Sequence, residues 1–127
     1  MAERYENGQF QARSLDLTQK LQLESTIAAI EKEYKVVDIL VNCAALVGTS
    51  NLTGWAEPFE KQGHKAWTKA LDINLTAPFF LTQGLVELLR ERKGRVINIG
   101  SIYGFLGPDM SVSVSYTHLT LPTTPYV

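Results

Sequence analysis

Four polar residues sit where a side chain can reach a ligand without leaving the frame of a fold. Ser101 comes just after the β-branched run Val96-Ile97-Asn98-Ile99, which is introduced by Gly94 and closed by Gly100. Asn42 closes a second apolar run, Val36-Val37-Asp38-Ile39-Leu40-Val41. Both runs read as strands buried on both faces, the pattern of a central parallel sheet. Ligands of open α/β sheets bind outside the carboxyl ends of such strands. A lone serine after a strand is more often a turn residue or a cap, so its place at a strand end makes it a candidate and no more. Asn74 lies four residues before Pro78 in a helical pattern. Proline has no N–H to offer the carbonyl at that distance, which leaves it available to a water. Asp16 closes a weaker run at 10–15, ahead of a helical stretch.

These positions need elements to hold them. Leu23, Ile27, Ile30 and Tyr34 recur at helical spacing with Glu24, Glu31, Lys32 and Lys35 opposite, which predicts an amphipathic helix over 19–34 with Thr18 as its N-cap. Residues 10–15 are a weak strand candidate, and 46–63 read as a surface loop rich in glycine and polar residues. A long helical stretch covers about 64–92, kinked or restarted near 74–77 by Pro78 and stopped at Gly94. It carries two apolar stripes, one through Trp67, Leu71, Leu75, Phe79, Val86 and Leu89, the other through Ile73, Ala77, Phe80, Gly84 and Leu88. One stripe can pack on a sheet; the other needs a further cover, such as a neighbouring helix or a second subunit.

Composition narrows the function classes. Twelve basic against thirteen acidic residues give a net charge of −1, no electrostatic ground for a nucleic-acid or anionic-membrane partner. The single cysteine, Cys43, excludes an intrachain disulfide and a cysteine-cluster zinc site. His64 and His118 lack metal-ligand spacing, so no metal is expected. No apolar run is long enough to span a membrane, and the polar start does not read as a signal peptide, which makes the cytoplasm the default location.

Taken in order, Asp16-Leu17, Asn42-Cys43-Ala44-Ala45, Asp72-Ile73-Asn74-Leu75 and the strand ending at Ser101 resemble the core of a short-chain dehydrogenase/reductase over about residues 10–110. The resemblance implies an α/β fold, an incomplete Rossmann-like doubly wound parallel sheet. It implies an NAD or NADP cofactor and hydride transfer between an alcohol and a carbonyl on a small-molecule substrate, in a parent protein that is a homo-oligomer. By the same resemblance Ser101 and Asn74 are catalytic. Ser101 would hydrogen-bond the substrate oxygen, and Asn74 would anchor a water of the proton relay. Asp16, Leu17, Asn42, Ala44 and Ala45 would bind cofactor, Asp16-Leu17 at the adenine. Cys43 and Ala45 depart from the family's Asn-Asn-Ala-Gly, and the methyl of Ala45 narrows a close backbone approach. A different class stays open beside this one: a Rossmann-like binding or interaction module without catalysis.

Two family motifs do not occur in the sequence. There is no Gly-x-x-x-Gly-x-Gly turn to place a pyrophosphate on a helix N-terminus, and no Tyr-x-x-x-Lys. Tyr116 has Thr120 at the lysine position, and Tyr103 follows Ser101 too closely to replace it, though it could line a substrate pocket. The string from Val114 to Thr123 resembles the in-frame translation of a sequencing adapter. The expectation is therefore a partial domain over 1–113 and a non-native-looking, unstructured, non-helical tail over 114–127, in a chain inactive by itself.

Overall fold

The computed structural model describes residues 11–47, 52–55 and 57–102. The element order is α1 (Lys20–Glu33), β1 (Ile39–Asn42), a 3₁₀ turn (Phe59–Lys61), α2 (His64–Leu71), a π-helical turn (Asp72–Thr76), α3 (Ala77–Gly84), α4 (Val86–Arg90) and β2 (Arg95–Asn98). The two strands pair in parallel, with Ile39 opposite Arg95 and Asn42 opposite Asn98. A parallel pair requires a crossover, and α2 to α4 supply it.

Residues 11–16 form no regular element, so the weak strand expected at 10–15 is absent from its described part. No neighbouring strand among the described residues offers it a ladder. Thr18 is not the N-cap of α1. Gln19 occupies that position without a side-chain cap bond. The turn is instead built on Asp16, whose Oδ1 accepts the Thr18 N–H at 2.9 Å and the Thr18 hydroxyl at 2.7 Å. Its carbonyl accepts the Gln19 N–H at 3.0 Å. This aspartate turn leads the chain into α1 from three residues before its N-cap, and it satisfies N–H groups ahead of the helix rather than those of its first turn. The Thr18 hydroxyl bond, followed by the Thr18 N–H, holds the Asp16 carboxyl below its ordinary value.

The long helix breaks where Pro78 predicts, and the break is a π turn. Its closing bond runs from the Ala77 N–H to the Asp72 carbonyl, one residue wider than an α-turn. Proline then stands in the first turn of α3, where its missing donor costs nothing. A second interruption at Leu85 (φ −99°, ψ 6°) separates α3 from α4. Gly84, beside it, is the contact with α1. A Cβ there would lie 2.6 Å from Ile27 Cδ1 and 2.8 Å from Ile27 Cγ2, so the missing side chain lets the two helices approach.

Gly94 stops the helix differently from a left-handed glycine cap. Lys93 takes the left-handed conformation (φ 53°). Its N–H donates to the Arg90 carbonyl and the Gly94 N–H donates to the Leu89 carbonyl at 2.7 Å. These are the two bonds of a Schellman motif with lysine at C′. Gly94 is required one residue later for closeness, because a Cβ there would meet the Val37 carbonyl oxygen at 2.5 Å.

Among the described residues, Leu23, Leu46, Ala66, Ala70, Ala77, Leu85 and Leu89 are the buried apolar side chains. The strands are not buried on both faces as their sequence predicts. Val41 is 51% exposed, Ile39 59% and Ile99 57%. A sheet of two strands, among the described residues, has neither flanking strands nor a second layer to cover it. The first helical stripe is likewise open at Trp67, Leu71, Leu75 and Phe79, while Leu89 is buried. In the second stripe Ala77 is buried and Phe80 is 39% exposed.

Candidate active site

The carboxyl ends of β1 and β2 open into a cleft of about 900 Å³. Asn42, Ala44, Ala45, Asn74 and Ser101 all line it, together with Cys43, Leu75, Pro78, Phe79 and Asn98. Five of the seven residues singled out in the sequence therefore meet at one place, although they are spread over some sixty positions. Leu17 does not join them. It lines a separate cavity of about 440 Å³ with Leu23, Ile27, Asp72, Thr76 and Phe80. Asp16 lines neither. The π turn separates the two spaces, with Asn74 and Leu75 toward the cleft and Asp72 and Thr76 toward the smaller cavity.

The π turn also fixes the strand-end loop. Asn74 Oδ1 accepts the Leu46 N–H at 2.8 Å, and Asn74 Nδ2 donates to the Leu46 carbonyl at 3.1 Å. One carboxamide thus satisfies both backbone groups of a buried residue and pins the loop from Cys43 to Val47 to the helix. The carbonyl of Asn74 has no α-helical donor, because that donor would be Pro78. The side chain carries structure, holding the strand-end loop to the helix.

This clamp gives a direct expectation. Asn74→Leu strips Leu46 of both partners, and a buried backbone group without one costs roughly 1–3 kcal/mol. The variant should melt well below the parent chain. Asn74→Asp keeps an acceptor for the Leu46 N–H but sets a carboxylate against the Leu46 carbonyl, so it should also lose stability. Urea unfolding of both variants checks this, and wild-type midpoints would refute the clamp.

Asn98 was not singled out by sequence reasoning. It is the one polar residue within the run Val96-Ile97-Asn98-Ile99, and that interruption was the available signal. Its Oδ1 accepts a bond from Asn42 Nδ2 at 2.8 Å. Cys43, exposed on the cleft wall, is a free thiol. His64 lies at the exposed start of α2. Among the described residues no group of three or more His, Cys, Asp or Glu side chains could hold a metal. No helix among them is long and apolar enough to cross a membrane. Tyr103, Tyr116, His118, Thr120 and the tail expected over 114–127 lie outside the described residues.

A family profile described as short chain dehydrogenase matches residues 1–117. Among curated relatives, a 3-oxoacyl-(acyl-carrier-protein) reductase of Vibrio cholerae is 32% identical over 95 residues, 74% of this chain and 36% of that protein. A short chain dehydrogenase of Leptospira borgpetersenii, solved with bound NAD+, is 29% identical. It superimposes with a TM-score of 0.72 over 91% of this chain and 45% of that one. A short chain dehydrogenase of Escherichia coli CFT073, solved with NADPH, is 26% identical, with a TM-score of 0.61 over 74% of this chain and 38% of that one. The chain spans little more than a third of the length of the curated relatives it matches.

Proposed function

Since the chain belongs to the short-chain dehydrogenase/reductase family, we propose that it is part of an NAD(P)-dependent oxidoreductase interconverting an alcohol and a carbonyl. The observation that carries this reading is the gathering of Asn42, Ala44, Ala45, Asn74 and Ser101 around one cleft at the strand ends. The cofactor, when bound, supplies or accepts the hydride. None of the described residues lining the cleft is charged, and Ala44 and Ala45 expose short side chains beside accessible backbone. Such a lining fits the phosphate-free, nicotinamide-riboside part of a dinucleotide better than its pyrophosphate.

Within this cleft Ser101 donates its hydroxyl hydrogen to the substrate oxygen as negative charge develops there, the point at which a fixed donor has most effect. Asn74 holds the loop against which the cofactor rests and offers its carbonyl to a relay water. Asn42, Ala44 and Ala45 form the wall beside the cofactor, the Ala45 methyl narrowing it. Asp16 and Leu17 take the adenine end, away from the reacting atoms. In the complete enzyme, Ser101→Ala should lower kcat by roughly 10²–10³-fold while leaving the cofactor Kd near its parent value. Equal losses in both would make the serine structural and remove the reading's chemical centre.

We further propose that the parent protein associates with copies of itself through the open helical stripe. Trp67 at 57% and Leu71 at 40% exposure are large apolar side chains left open among the described residues and outside the cleft lining. Trp67→Glu should shift the parent toward monomer in sedimentation velocity. An unchanged distribution would count against this face as the interface.

A further inference from the structure

Asn42 and Asn98 end β1 and β2 as partners in register. Their carboxamides are joined by the bond from Asn42 Nδ2 to Asn98 Oδ1, and the Ile99 N–H donates to the Asn42 carbonyl at 2.9 Å, fixing the backbone below them. A primary amide has both an acceptor oxygen and a donor nitrogen. The bond between the pair uses the donor of one and the acceptor of the other. Asn42 Oδ1 and Asn98 Nδ2 then have no hydrogen-bond partner among the described residues. Both residues line the cleft beside Ser101.

We propose that Asn98, held by Asn42, is a binding residue of the cleft, and that the two amides form a donor–acceptor edge for a ribose hydroxyl. A hydroxyl matches such an edge with one oxygen, accepting from Asn98 Nδ2 and donating to Asn42 Oδ1. A phosphate or carboxylate does not, since it can only accept and would face the Asn42 oxygen without a cation among the described lining residues. The inference rests on the reading of this cleft as the cofactor site, and it names which part of the cofactor these strand ends take. The pair is well suited to specificity because its two members orient each other: rotating one amide breaks the bond to the other. A mismatched ligand must break that bond or leave its own groups unpaired.

The test uses the full 127-residue chain, labelled with ¹⁵N and titrated with NAD+ and separately with nicotinamide, which lacks ribose. NAD+ should shift the side-chain amide signals of Asn42 and Asn98, and nicotinamide at the same concentration should not. Asn98→Asp keeps an acceptor for Asn42 Nδ2 but replaces the cleft-facing donor with an oxygen. It should weaken NAD+ binding by about tenfold or more, the factor expected for one lost hydrogen bond, with unfolding close to the parent. NAD+ affinity unchanged in Asn98→Asp would overturn the proposal and leave the cofactor reading standing. So would NAD+ shifts at Ala44, Ala45 and Ser101 without shifts of the two side-chain amides, a result that needs no variant. No shift anywhere on adding NAD+ would overturn the proposal, and NAD+ binding by the complete enzyme then decides the cofactor reading separately.

Discussion

Purified as its 127 residues, the chain is expected to oxidise no NAD(P)H in the presence of any carbonyl substrate. The cleft brings a hydroxyl donor, Ser101, to the strand ends, but a donor is only part of the chemistry. A carbonyl that accepts hydride must also gain a proton. The sequence contains no tyrosine followed four residues later by a lysine to supply it. Thr120 stands at that distance from Tyr116, and a threonine hydroxyl carries no charge to favour a tyrosinate. Loss of a general acid alone costs roughly 10²–10⁴-fold. The glycine-rich turn that would set a pyrophosphate on a helix N-terminus is also absent from the sequence. The two losses compound, because a weakly held cofactor is rarely in place when the substrate arrives. Carbonyl-dependent oxidation of NADPH by the pure chain above its buffer rate would show that another group moves the proton.

Gly94→Ala should be among the most destabilising single-methyl changes in the chain, at roughly 1–3 kcal/mol, the range for overpacking a filled site. The added Cβ would lie 2.5 Å from the Val37 carbonyl oxygen, 2.9 Å from Leu89 Cδ2 and 3.1 Å from the Asp38 carbonyl oxygen. Two of these three are backbone atoms that cannot rotate away. Their positions are fixed by the bond from the Val37 N–H to the Leu88 carbonyl and from the Arg95 N–H to the Asp38 carbonyl. Relief would therefore have to come from separating the end of α4 from the start of β1, which also strains the Schellman turn at Lys93. Gly100→Ala is the matched control, since no heavy atom of the described residues lies within 4 Å of a Cβ built there. Thermal or urea unfolding of the two variants should show a large shift for the first and almost none for the second. Equal shifts would mean that the close approach at Gly94 does not limit stability.

The sequence by itself determined the elements and the order of the chemistry. Leu23, Ile27 and Ile30 announce α1 by their spacing, Val36 to Val41 and Val96 to Ile99 announce the two strands, and Pro78 announces the break between α2 and α3. These signals are local: period, β-branching and a missing N–H act within a few residues, so they can be read without knowing the fold. Family resemblance then tied Asn42, Asn74 and Ser101 to one site, and the tertiary structure brought them to one cleft because all lie at or beside the carboxyl ends of paired strands. What only the tertiary structure decided depends on partners distant in sequence. That Asn74 clamps Leu46 requires a residue 28 positions away. That Asn98 belongs to the site requires the register setting it opposite Asn42, 56 positions earlier. That Gly84 and Gly94 are glycines for closeness follows from Ile27 and Val37 approaching from other elements. Burial was misjudged for the same reason. An apolar strand records the neighbours it is built to meet, whereas exposure depends on which neighbours stand beside it, and the described sheet has only two strands.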